Sequence, residues 1–165
     1  METFVRSLKS QLRKAGRIAV LGVGSELRGD DVAGILAARL LAEHGPAVRK
    51  GRTLEVFVGD TAPENMTGEI KKFKPTHLVI IDSADIGKKA GAIKLIDPDK
   101  VGGISFSTHK LPLKILADYL RQSIGCEIII IAIQPGILDF GSAVSREVEK
   151  SAKQVSLALK ACMAG

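Results

Sequence analysis

Apolar positions along this chain follow two rhythms. Runs dense in apolar residues at 17–23 (RIAVLGV), 53–58 (TLEVFV), 76–82 (THLVIID) and 126–133 (CEIIIIAI) are short and rich in β-branched residues. They predict strands, and the most apolar of them predict strands buried on both faces. Between them the spacing becomes helical. Val32, Ile35, Leu36 and Leu40 share one face of a helix predicted over 31–44, which Gly45-Pro46 ends. A second helix is predicted over 64–74, ended by Pro75, and others over about 111–124, capped by Thr108, and 144–162. A short strand at 92–96 (AIKLI) follows a Gly-Lys-Lys-Ala-Gly turn. At the N-terminus, Phe4, Leu8 and Leu12 line one side of a basic amphipathic helix over 1–16.

The resulting order is α-β-α-β-α-β-β-α-β-α. Alternating strands and helices require right-handed crossovers and a mainly parallel sheet covered on both faces. The expectation is a three-layer α/β/α fold with a mainly parallel five-stranded sheet, in which strand 92–96 runs antiparallel at an edge. The 165 residues suit a single α/β domain over 1–165, with helix 1–16 added ahead of the first strand.

Composition narrows the function classes. The net charge of +6 lies on the terminal helices, with +4 in residues 1–17, +2 in residues 144–165 and none between. No basic groove is therefore implied near the middle of the chain. With one Tyr, five Phe and no Trp, there is little aromatic surface for stacking bases, so nucleic acid is not an expected partner. No apolar run approaches the roughly 18–20 residues of a membrane helix, so no membrane insertion is expected. Cys126 and Cys162 lack metal-type spacing, and a cytoplasmic setting suits them.

In open α/β sheets, ligands bind beyond the carboxyl ends of the strands. This rule selects the loop Gly24–Asp31 after the first strand, Asp82 and Asp85 after the third, Ser107–Lys110 before the fourth helix, and Gln134-Pro135 after the last strand. All four should face one crevice. Gly22-Val23-Gly24 suggests a dinucleotide fingerprint, but Leu27 occupies its third glycine position. Asp30 and Asp31 would also repel a phosphate at the helix start. Converging carboxylates favour a cation instead. Asp31 and Asp82 offer oxygen, His109 offers nitrogen, and that set suits zinc, nickel or manganese. A blander reading exists for each residue. Asp30 and Asp31 are common helix caps, Asp85 and Asp99 suit turns, and His44 and His77 suit a helix end and a strand start. There is no Gly-x-Ser-x-Gly elbow, so hydrolysis would use water.

The series Gly22-Val23-Gly24…Gly29-Asp30-Asp31, Asp60–Asn65 (DTAPEN), Val79–Asp85 (VIIDSAD), Ser107–Leu113 (STHKLPL) and Ile133–Pro135 resembles the [NiFe]-hydrogenase maturation endopeptidases, specifically the hydrogenase 3-type branch. The resemblance implies removal of a C-terminal peptide from a [NiFe]-hydrogenase large-subunit precursor after nickel insertion. It implies that Asp31, Asp82 and His109 bind or sense nickel carried by the precursor. Asp30, Asp85 and Thr108 would support them, and another divalent ion such as zinc could bind the isolated protein. The catalytic group stays open between Asp31 and Asp82. The basic N-terminal helix departs from the family pattern. Packing on the sheet, self-association and substrate contact all remain open roles for it.

Two rival readings are kept. A metal-dependent binding module would bind the precursor without releasing a tail. A phosphoacceptor domain shares the acids after strands one and three, but would need Lys where Gln134 stands.

Overall fold

In the computed structural model, which describes residues 1–43, 45, 50–101, 104–106 and 112–164, the apolar runs form strands. These are β1 (Arg17–Val23), β2 (Thr53–Asp60), β3 (His77–Asp85), β4 (Ile93–Ile96), β5 (Ser105–Phe106) and β6 (Glu127–Ile133). The helices are α1 (Glu2–Gln11), α2 (Ala33–Glu43), α3 (Thr67–Phe73), α4 (Leu113–Ile124) and α5 (Arg146–Ala164). The sheet has six strands in the order β2-β1-β3-β6-β4, with β5 paired to β3 off that path. Pairing is parallel except at the edge strand β4 and at β5. The expected antiparallel edge strand is therefore present.

Alternation along each strand divides the interior in two. Val79 and Ile81 of β3 face a cluster containing Leu8, Leu12, Leu41, Val155 and Leu159, which covers the sheet with α1, α2 and α5. Leu78 and Ile80 face Ile70, Leu116 and Leu120 from α3 and α4. The expected three layers are thus filled by Ile, Leu, Val and Ala. Helix α1 takes the first of its three open roles, packing into the core: Leu8 and Leu12 are fully buried and Phe4 lies against them.

Three local differences from the sequence reading matter for the site. First, β3 continues to Asp85 instead of ending at Asp82, because Ala84 and Asp85 pair with Phe106 and Ser105 of β5. A two-residue strand carries too little periodicity to be read from sequence. Second, residues 29–32 form a 3-10 turn ahead of α2, with Gly29 at φ 52°. Asp30 and Asp31 sit in that turn. Third, α4 begins at Leu113 with Pro112 in the capping position and no side-chain cap. The expected cap, Thr108, lies outside the described residues, and the proline one residue ahead of the helix suits its start.

Candidate active site

The candidate site lies beyond the carboxyl ends of the parallel strands. A small cleft there is lined by Arg28, Asp31, Ser83, Asp85, Phe106 and Leu138, among others. The loops after β1, β3 and β6 converge on it, as the strand-end rule predicts. The fourth expected contributor, 107–110, lies outside the described residues, and with it His109 and Thr108.

Close backbone contacts fix the position of Asp31. Gly24 adopts φ 148°, and a Cβ there would stand 1.9 Å from the Asp31 carbonyl oxygen. Only glycine allows the loop to fold over the turn in this way. The Ser25 amide then donates to the same carbonyl at 3.1 Å. The side chain of Asp31 is 2% exposed, and one oxygen accepts a 2.7 Å hydrogen bond from the Ser83 hydroxyl. A carboxylate has acceptor capacity beyond one such bond, so Asp31 can still offer oxygen to a cation or a water.

Asp82 is fully buried one position earlier on β3, beside Ala132 of β6. Alternation turns it towards the α3–α4 side, opposite to Ser83. It is not among the residues lining the cleft. Among the described residues, no group of three His, Cys, Asp or Glu is placed to hold a metal ion. The structure thus brings Asp31 and Asp85 to one cleft and Asp82 to the strand beneath it. Asp85 also acts as the turn residue expected, accepting from the Gly87 amide at 3.0 Å.

Asp30 has a different task from its neighbour. Its carboxylate is fully buried and accepts from the amides of Gly136, Ile137 and Ser145 and from the Ser145 hydroxyl, at 2.6–3.0 Å. It caps no helix of its own. It ties the turn before α2 to the loop between β6 and α5, just ahead of the α5 N-terminus, where negative charge is favoured. Burial alone would raise its pKa, but the bonds from Ser145, Ile137 and Gly136 outweigh this and hold it below the ordinary carboxylate value.

Gln134 and Ser83 complete the frame. The Gln134 side-chain oxygen accepts from the amides of Ile86 and Lys88, closing the loop after β3. The phosphoacceptor reading needed a cation at this position; an amide that pins a loop occupies it. Ser83 belongs to no metal-ligand pattern in the sequence; its one signal is its position next to Asp82 on an apolar strand, where a hydroxyl needs a buried partner.

The family model for hydrogenase maturation protease (HycI) matches residues 37–161. The chain belongs to the hydrogenase maturation protease family. It is 38% identical over 137 residues to the hydrogenase 3 maturation protease of Escherichia coli, covering 82% of this chain and 84% of that protein. The crystal structure of the [NiFe] hydrogenase maturation protease HycI from Thermococcus kodakarensis superposes with a TM-score of 0.84 at 30% identity, covering 95% of this chain and 98% of that one. The solution structure of the endopeptidase HycI from E. coli gives 0.75 at 35% identity, over 88% and 90% of the two chains. This family member is thus an endopeptidase acting in hydrogenase maturation. Its α/β/α architecture is that of its relatives. No helix among the described residues is long and apolar enough to cross a membrane.

Proposed function

We propose that this maturation protease acts in the cytoplasm and removes the C-terminal peptide of a [NiFe]-hydrogenase large-subunit precursor once nickel is in place. Nickel held by the precursor is the recognition element, and Asp31, Asp82 and His109 are the groups that engage it. The observation supporting this reading is Asp31: a buried carboxylate, oriented by Ser83, at the floor of the strand-end cleft. Oxygen donors from Asp31 and Asp82 with imidazole nitrogen from His109 form a donor set suited to a borderline divalent ion. The same donors would hold zinc in the isolated protein.

Cleavage uses water. Both cysteines are buried, with burial raising their thiol pKa values, so neither is a ready nucleophile. Engagement of the nickel brings the tail into the cleft. A carboxylate, either Asp31 at the cleft floor or Asp82 on the strand beneath it, would then take the proton of the attacking water.

The test is intact-protein mass spectrometry of nickel-loaded and nickel-free precursor after mixing with the protein. Loss of a C-terminal peptide from the loaded form alone is expected. Asp31→Ala, Asp82→Ala and His109→Ala should each abolish it. Ser83→Ala should slow it by about tenfold, because Asp31 keeps its chemistry but loses its orientation. Cleavage of the nickel-free form, or none of the cognate loaded form, would overturn the proposal.

A further inference from the structure

Beside the cleft lies a feature that hydrolysis alone does not require. Leu27, Ile137, Leu138 and Phe140 are all exposed large apolar side chains, with Phe140 at 79% and Leu27 at 61%. They come from two loops joined into one surface. The Asp30 amide donates to the Ile137 carbonyl at 2.7 Å, and the Gly141 amide donates to the Leu27 carbonyl at 2.8 Å. Gly29 lies so close to Ile137 that a Cβ would stand 2.5 Å from its carbonyl oxygen. Leu138 is itself a wall of the cleft that holds Asp31.

Single exposed apolar residues are ordinary, whereas four on one rigid ledge are not. Hydrogen bonds hold the loop backbone on both sides of these residues. Asp30 pins its backbone with bonds to Gly136, Ile137 and Ser145, and spends a fully buried carboxylate to do so. The loop is held in a shape that presents its apolar side chains outward, next to the cleft.

We infer that this ledge is the docking surface for a non-polar surface of the precursor polypeptide, flanking the tail that enters the cleft. The inference rests on the proposed substrate, and it commits to that occupant because the ledge is continuous with the cleft. Water-excluding contact there supplies binding that a small cleft cannot, and it discriminates cognate from non-cognate precursors. Asp30 is a positioning residue for this surface: it touches no substrate and sets the loop that does.

The experiment uses the full chain and nickel-loaded precursor, with two readouts: KM for cleavage and affinity measured by calorimetry. Phe140→Ser and Leu27→Ser replace exposed side chains, so folding is retained, as thermal melts would verify. Leu157→Ser, equally exposed on α5 away from the ledge, is the control. The ledge variants should raise KM and weaken binding by about tenfold or more, with a smaller change in kcat, while Leu157→Ser matches the wild type. Unchanged KM and affinity in both ledge variants would overturn the inference. So would a dimer, seen by sedimentation, that the ledge variants dissolve while precursor affinity holds; the ledge would then join two copies of this chain. If the wild type binds but does not cleave, the catalytic proposal fails, and the affinity series still decides the ledge.

Discussion

At the scale of single residues, the adjacent acids Asp30 and Asp31 divide the labour that the sequence left undivided. Both sit in one 3-10 turn and both are buried, yet one faces the cleft and the other the β6–α5 loop. The sequence showed that two acids follow a Gly-rich strand end. It could not show which pointed where, because that depends on a loop more than a hundred residues later. Asp30 has a testable electrostatic signature. Its folded pKa is depressed, so the stability it contributes is fully present above the unfolded value of about 4 and is lost as pH falls through the folded value. Asp30→Asn should lower stability at neutral pH by about 2 kcal/mol, through loss of charge-assisted bonds. Denaturant titrations of both proteins should converge as the pH drops below about 4. A difference that stayed constant with pH would mean that Asp30 acts through shape alone.

At the scale of elements, contact between α2 and the strands sets where Asp31 stands. Gly34, in the first turn of α2, packs so tightly that a Cβ would lie 2.1 Å from the Ile81 carbonyl oxygen and 2.3 Å from that of Val23. Those atoms are backbone and cannot swing aside. Gly34→Ala should therefore cost about 3 kcal/mol or more. It should also slow cleavage beyond what instability explains, because the turn carrying Asp31 leads directly into α2. Chemical denaturation paired with a cleavage assay on the folded fraction checks both effects. The elements themselves were largely legible, since β-branched runs and helical spacing reflect burial on two faces or one. The extension of β3 to Asp85 was not legible. It depends on pairing with Ser105 and Phe106, a long-range event with no local pattern.

At the scale of the whole molecule, opposite ends of the sheet do different work. The carboxyl ends hold the cleft and the apolar ledge, a location the parallel topology dictates and the sequence order already implied. The ledge itself escaped the sequence reading, because apolar residues in a Gly- and Pro-containing loop look like minor core until tertiary bonds turn them outward. The opposite end carries the basic N-terminal helix. Leu8, Leu12 and Ala15 are buried in the core cluster shared with α5. Arg52 gathers the carbonyls of Leu12, Arg13 and Cys162, fastening the end of α1 to α5. Burial keeps the His77 imidazole, beside Gln11 at the start of β3, biased towards its neutral form. These contacts give α1 a part in stability, at the end of the sheet away from the cleft. Leu8→Ala should lower stability by about 3 kcal/mol, as a cavity opens between α1 and α5. The KM for the precursor should stay at the wild-type value for the folded fraction, because the ledge and the cleft lie at the far ends of the strands. A raised KM in a folded Leu8→Ala protein would instead place α1 in the precursor interface, and the division of labour between the two ends of the sheet would fall.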